Sequence, residues 1–404
     1  MKKILPVIAI CLVFILVVSP LGAIAQPVTD PDVFDMAVVN NIMKNTDLFN
    51  LKAKSAILTD AKTGMVLYEK NTEERYPIAS ITKIMTTLVI MEYIKSGRLS
   101  YTDKVIVSEH AYSMGGSQVY LEPGEEFTVR ELMEAVEIHS ANDASVALAE
   151  KVAGTEDAFV LLMNNKAREL GLKDTNFRDC TGLTDDGHYS TAREIAIISR
   201  ELITKYPEIF EITTIQYKEF RPGEDGIDMW NRNRLIWFYK GANGLKTGFT
   251  TKAGYCLSGT AERDGFQLIA VVLGEPDTNT RFAETSKLLD YGFFNFETLD
   301  IIQKDNRVKT VEVKKGVAEN VDLVYDDSFS YLIDKSKKDS LKVDVVTENT
   351  LIAPIEKGTI VGYAKISIDN KVIGNVNIIA ANSVAKASFF RLFILMIKEW
   401  LNLN

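Results

Sequence analysis

At 404 residues the chain is longer than one typical domain, so two globular units are expected, and its apolar (46%) and charged (25%) fractions supply a sizeable core. With 55 acidic against 46 basic residues the formal charge is −9, which argues against a nucleic-acid partner. Three cysteines make no disulfide framework, and three scattered histidines without H-E-x-x-H or C-x-x-C spacing make no metal site, so neither metal nor cofactor is expected.

Residues 1–25 read as a secretory signal. Lys2 and Lys3 form the basic start, Ile4 to Val18 the apolar run, and Ala23-Ile24-Ala25 the cleavage site before Gln26. The run is short for a membrane span. Cys11 follows Ile10 rather than the small residue of a lipoprotein site. Cys180 and Cys256 read as small buried apolar residues.

After a lead-in over 26–50, Ser55 to Glu69 predicts a β-hairpin, with Ala56-Ile57-Leu58 and Met65-Val66-Leu67-Tyr68 as strands around a turn at 60–64. Ile81 to Ile94 has helical spacing and stops at Ser96-Gly97. Further helical patterns cover Val129 to Val152, Glu156 to Leu170 and Thr191 to Lys205, with Gly154 and Gly171 placed as left-handed caps. From Ala242 the pattern turns to strands at Gly244 to Phe249, Tyr255 to Ala261 and Phe266 to Leu273, the last two joined by a hairpin turn at Glu262-Arg263-Asp264-Gly265, and a helix from Thr278 to Tyr291 follows. Strands, a helical block, strands and a last helix describe an α+β layer of helices on an antiparallel sheet.

Beyond Phe296 the chain alternates or runs β-branched at Thr310 to Val313, Val321 to Val324, Leu341 to Val346, Thr359 to Ile368 and Val372 to Ile379, which predicts a small all-β domain. The tail from Ser388 to Asn404 places Ser388, Arg391, Lys398, Glu399 and Asn402 on one helical stripe, interrupted only by Leu395. Phe389, Phe390, Phe393, Ile394, Ile397, Trp400 and Leu401 cover the rest. Such a wide apolar arc suits a helix lying in a membrane interface, and the competing reading is a helix docked on the β domain. The expected organisation is a signal at 1–25, a lead-in at 26–50, a catalytic domain at 51–297, an all-β domain at 298–383 and an amphipathic anchor at 384–404.

Three short motifs carry the chemistry. In Ser80-Ile81-Thr82-Lys83 the serine and lysine share a helix face one turn apart, so an amine is in reach of a hydroxyl. Ser140-Ala141-Asn142 interrupts the helical run from Glu131 to Val152 with residues that compete for backbone hydrogen bonds. Lys246-Thr247-Gly248 lies on a predicted strand, where a glycine allows close approach of an extended peptide. S-x-x-K, S-x-N and K-T-G in this order are the signature set of the serine penicillin-recognising enzymes.

On these motifs, and on Pro77-Ile78-Ala79, Gly115-Gly116-Ser117, Gly182-Leu183 and His188 to Ala192, the chain resembles the low-molecular-mass D-alanyl-D-alanine carboxypeptidases of the penicillin-binding protein superfamily, serine peptidase family S11. The resemblance covers nearly everything after the leader. It implies a β-lactamase-like transpeptidase domain followed by an all-β domain, and removal of the terminal D-alanine from peptidoglycan pentapeptide stems through an acyl-enzyme. It implies catalytic roles for Ser80, Lys83 and Ser140. Asn142, Lys246, Thr247, Gly248, Phe249 and Arg281 are implied to bind substrate, Phe249 standing where many relatives carry histidine. β-Lactams are implied covalent ligands, and the membrane surface a partner through the tail of an exported, peripherally attached enzyme. A transpeptidase or endopeptidase differs only in what resolves the acyl-enzyme. A class A β-lactamase lacks support because Asn176 to Thr191 contains no glutamate, and a non-catalytic scaffold would be expected to lose Ser80 or Lys83.

Overall fold

The computed structural model describes residues 49–400 except 185, 222, 224 and 225, and the side chains of 395, 396 and 398–400 are also not described. The expected signal at 1–25, most of the lead-in and the last four residues of the anchor lie outside the described residues.

Five antiparallel strands form the central sheet in the order Val66–Lys70, Ser55–Asp60, Phe266–Glu275, Gly254–Arg263, Ala242–Thr250. The two-residue period of a strand sends alternate side chains to opposite faces. Ile57, Ile269, Val271 and Leu273 join the core beneath the helical block. Ala56, Leu58, Leu268, Ala270 and Val272 face a second core closed by Phe282, Leu288 and Leu289 of the helix Thr278–Asn295. Arg263 pairs with Phe266 across Asp264 and Gly265, whose φ of 52° and 75° are the two left-handed residues that a tight hairpin requires.

The helical block differs from its prediction in one place. Val129 to Val152 is not a continuous helix: Val129–Glu134 is α-helical, Ala135–His139 winds into a wider π-turn, Ser140 is left-handed at φ 66°, and a new helix runs from Asn142 to Ala153. Across this break Asn142 reaches the Lys83 amine and Ser140 lines the same pocket as Ser80. Gly154 and Gly171 have φ of 83° and 75°, as expected of caps.

The C-terminal part is a six-stranded sheet, ordered Lys342–Thr347, Ile360–Ile368, Lys371–Ala380, Asn320–Tyr325, Arg307–Lys314, Thr350–Ile352, with its own core around Leu323, Ala364, Ile366 and Ile378. Sequence periodicity missed the pair Phe296–Ile302 and Phe329–Asp334, as well as two short hairpins in the first part, Lys104–Ile106 with Glu126–Thr128 and Tyr217–Phe220 with Ile227–Trp230. These strands are short, and most of their side chains are not fully buried, so they carry little hydrophobic signal. The tail forms a helix from Phe389 to Trp400 on which Phe389 and Phe390 are 78% and 79% exposed. No helix among the described residues is long and apolar enough to cross a membrane.

Candidate active site

Ser80 lies ahead of the α-helix rather than on it, although its spacing to Lys83 predicts a shared helix face. It lies in a 3-10 turn, Ala79–Thr82, and the α-helix begins at Lys83 and runs to Lys95. Ala79 has a φ of 48°, a strained value for a residue with a side chain, and it presents Ser80 at the wall of a pocket. The strain is held from below. The Thr82 hydroxyl donates to Ala79 O at 2.8 Å and lies 2.7 Å from His188 Nε2. On the other side of the ring, His188 Nδ1 lies 3.2 Å from the Arg178 N–H. Gly182, at φ 81°, completes the support: a Cβ there would fall 1.8 Å from Ala79 O, so no other residue fits against the turn.

Lys83 is fully buried, and its Nζ donates to Ser80 Oγ at 3.1 Å, Asn142 Oδ1 at 2.6 Å and Thr181 O at 2.8 Å. Three acceptors match the three N–H bonds of an ammonium. Burial lowers its pKa from 10.5 to about 8. On losing a proton the amine keeps two N–H bonds for the fixed acceptors Asn142 and Thr181, and its lone pair is left to face the Ser80 hydroxyl. That geometry can take the serine proton.

Asn142 is held in turn by donating from Nδ2 to Gly115 O at 2.7 Å, while its backbone N–H donates to Ser117 O at 2.7 Å. A Cβ on Gly116 would come 2.9 Å from Asn142 Nδ2. Ser140, 5% exposed, lines the same pocket as Ser80 and Ser117.

On the facing strand, Lys246, Thr247, Gly248 and Phe249 run past the serine turn. Gly248 is required by proximity rather than by its backbone angles: a Cβ there would lie 2.8 Å from Ile78 O and 3.1 Å from Ile81 N. Lys246 is 1% exposed, and burial, assisted by the charge of Lys83, lowers its pKa to about 7. Phe249 is half exposed and stacks on Tyr255 with ring centroids 4.4 Å apart. Arg281, on the helix Thr278–Asn295, is buried. It donates to Gly248 O at 3.2 Å and Cys256 O at 3.4 Å and leaves Nε without a partner, and burial lowers its pKa to about 10.

The resulting pocket, about 450 Å³, is lined by Ser80, Ser117, Ser140, Thr247, Gly248 and Phe249 together with Arg232, Arg234 and Arg281. Among the described residues no carboxylate lines it, so an anionic group is its electrostatic complement. All nine residues singled out in the motifs and the resemblance therefore converge on one region. Sequence reading missed three further groups. Glu137, 5% exposed, accepts from the Thr87 hydroxyl beneath the site; burial raises its pKa, while Lys246 and Lys83 act against that rise. The Thr181 carbonyl anchors Lys83. Asp179 accepts from the N–H groups of Thr181, Gly182 and Thr184 at 2.7, 2.5 and 2.8 Å, and despite burial these bonds and His188 hold its pKa down at about 2. This acid is committed to shaping its own loop. His139, adjacent to Ser140, is pushed down to about 4 by burial and by Arg232, which keeps it neutral. Cys180 and Cys256 are buried and unpaired. No group of side chains suited to a metal occurs among the described residues.

Comparison with known proteins agrees with this geometry. Residues 41–277 match the peptidase S11 family, described as D-alanyl-D-alanine carboxypeptidase, and residues 296–386 match the C-terminal domain of penicillin-binding protein 5. The chain is 41% identical over 360 residues to the D-alanyl-D-alanine carboxypeptidase DacF of Bacillus subtilis, covering 88% of this chain and 92% of that one. Among solved structures, penicillin-binding protein 5 from Haemophilus influenzae superposes with a TM-score of 0.68 at 33% identity, over 83% of this chain and 98% of that one. Penicillin-binding protein D2 from Listeria monocytogenes, solved in an ampicillin-bound form, superposes with a TM-score of 0.54 at 34% identity, over 60% of this chain and 98% of that one. Motifs, fold and pocket thus lead to one conclusion: the chain belongs to the S11 family of serine D-alanyl-D-alanine carboxypeptidases.

Proposed function

We propose that Ser80 is the nucleophile and that the substrate is the pentapeptide stem of peptidoglycan. The observation that carries this is the buried Lys83 amine, 3.1 Å from Ser80 Oγ, with its pKa lowered to about 8. Lys83 takes the hydroxyl proton as Ser80 Oγ bonds to the carbonyl carbon of the penultimate D-alanine. The N–H groups of Ser80 and Phe249 hold the oxyanion. Collapse breaks the peptide C–N bond, and Ser140 relays a proton to the departing amine of D-alanine. Water then adds to the Ser80 ester, and its cleavage frees the tetrapeptide acid and returns the proton to Ser80.

Asn142 orients Lys83 and the substrate amide. Lys246 and Thr247 receive the terminal carboxylate in a site from which water is largely excluded, where a charge-assisted bond is strongest. Arg281 fixes Gly248 O and adds positive charge. A β-lactam enters by the same attack and leaves a penicilloyl ester on Ser80.

The protein is exported after cleavage at Ala25, and its tail attaches it to the outer face of the cytoplasmic membrane. Supporting this, Phe389, Phe390, Phe393 and Ile394 are between 47% and 79% exposed, an apolar row not packed on the β domain. Each such side chain, fully withdrawn from water, contributes roughly 1.5–3 kcal/mol, less the cost of ordering the segment.

The test is incubation with a muramyl pentapeptide and mass analysis of products. Release of one D-alanine with a tetrapeptide acid is expected, and a product extended by an acceptor amine would instead assign transpeptidation. Deleting residues from Ser388 onward should move the protein from the membrane fraction to the soluble one with peptide turnover unchanged. Equal membrane retention would leave the helix a purely structural element.

A further inference from the structure

We propose that an exposed ladder of aromatic rings beside the catalytic pocket is a docking platform for the glycan chain of peptidoglycan, a β-linked amino-sugar polymer. The proposal rests on the function above, since it places the stem peptide of that polymer in the adjoining pocket.

Tyr217, Trp230, Trp237 and Phe238 are 44%, 55%, 42% and 60% exposed. Tyr217 and Trp230 face each other across a two-stranded hairpin, their rings 4.7 Å apart, and Trp230 and Trp237 follow at 5.6 Å with planes inclined by 33°. A continuous aromatic surface left in water marks an interaction site. The rings border a cleft of about 350 Å³ lined by Trp230, Asn231, Arg234, Trp237 and Phe238. Trp230, Asn231 and Arg234 also line the pocket that holds Ser80, so the two concavities are continuous.

The platform is preorganised. Asn231 donates from its backbone to Gln216 O at 2.8 Å and from Nδ2 to Thr213 O at 3.0 Å and Ile215 O at 2.8 Å. Gln216 Nε2 donates to Ile236 O at 3.0 Å, and Asn233 Nδ2 to Gly244 O at 2.9 Å, which ties the ring-bearing loop to the Lys246 strand. Little is lost in ordering when such a surface binds.

The chemistry selects a sugar. A pyranose offers a flat C–H face that stacks on an aromatic ring, and hydroxyl and acetamido oxygens at its rim that can accept from Arg234. The occupant must also coexist with a peptide in the catalytic pocket. Four residues separate the scissile bond from the sugar bearing the stem, a span of roughly 14 Å when those residues are extended. The glycan is therefore delivered close to the pocket mouth by the substrate's own covalent structure, whereas a protein seated on Trp230 would crowd that mouth.

The test compares kcat/KM for a free pentapeptide with that for the same peptide on an amino-sugar oligomer, in the parent and in Trp237→Ala. Trp237 lines the cleft but not the Ser80 pocket. The parent should prefer the glycan-linked substrate by about tenfold, the scale of one good aromatic contact. The variant should lose that preference while keeping free-peptide turnover and penicillin labelling. Equal parent values for the two substrates, or a preference kept by the variant, overturn the platform. A parent inactive on both substrates would refute the proposed function instead. A second reading uses fluorescence, because two of the three tryptophans sit in the ladder. Titration with oligomers of N-acetylglucosamine should shift the emission of the parent. Silence overturns the proposal, as does a shift that Trp237→Ala leaves unchanged.

Discussion

The two folded parts of the molecule spend their interiors differently. The first buries ionisable groups: Lys83, Glu137, Asp143, Lys246, Glu275 and Arg281 are all at most 6% exposed. Beyond residue 296, Ser367 is the one buried polar side chain among the described residues, and the core is Leu323, Ala364, Ile366, Ile378 and their neighbours. Burying a charge costs several kcal/mol unless partners compensate, whereas an apolar sheet core is favourable throughout. The first part carries that cost at Lys83 and Lys246, where burial lowers the pKa to about 8 and about 7, a pattern that functional sites share. The second has the composition of a structural platform.

The largest expected effect is Ser80→Ala. It should lower peptide hydrolysis roughly 10⁴–10⁶-fold, the scale of losing an acyl-transfer nucleophile, and abolish labelling by a tagged penicillin. Labelling that persisted would place the reactive group elsewhere and dissolve the contrast between the two parts.

Lys83→Ala should slow acylation about 10³-fold with the melting temperature little changed. In the parent, the base form of Lys83 is the neutral amine. With its pKa lowered to about 8, the acylation rate should therefore rise as pH increases through about 8 and level off above it. A stopped-flow profile that kept rising toward pH 10 would mean the amine behaves as an ordinary exposed lysine.

Ile378→Ala probes the other interior. Truncating this fully buried side chain should cost about 2–5 kcal/mol of stability in the C-terminal sheet. Penicillin acylation should proceed at the parental rate. A matched fall in acylation would show that the sheet core and the serine site are one energetic unit.

The smallest effect belongs to Lys246→Ala. Loss of one charge-assisted contact should reduce the preference for a free terminal carboxylate over its amide by about 10–100-fold. Unchanged selectivity would move the carboxylate pocket toward Arg232, Arg234 and Arg281.

Asp179 offers a check on the loop beneath Ser80. Its pKa is about 2 in the folded state against an ordinary 3.8. A lowered carboxylate pKa gives stability that is fully present above the unfolded value. The contribution of roughly 2 kcal/mol is thus intact above about pH 4 and fades as pH falls toward 2. Asp179→Asn should flatten that part of an acid-unfolding curve.

Much of this was legible in the sequence because it is local. Alternation in Ser55–Asp60 and Phe266–Glu275 and helical spacing after Lys83 follow from periods of 2 and 3.6 residues, and Glu262-Arg263-Asp264-Gly265 marks a turn that pairing of Arg263 with Phe266 narrows to its last two residues. Ser80, Lys83, Ser140, Asn142 and Lys246 could be picked out because their chemistry is written in short spacings. What tertiary structure alone decided is long-range. Lys83 meets Asn142 and Thr181 across 59 and 98 residues of sequence, and Thr82 meets His188 across 106. The π-turn before Ser140, the glycine at 182 that fits only against Ala79 O, the burial of Arg281 and the Glu137 carboxylate beside two lysines leave no periodic trace. A pKa or a strained turn is set by which atoms exclude water from a group and which ones replace it, and that is a property of the packed chain rather than of any segment of it.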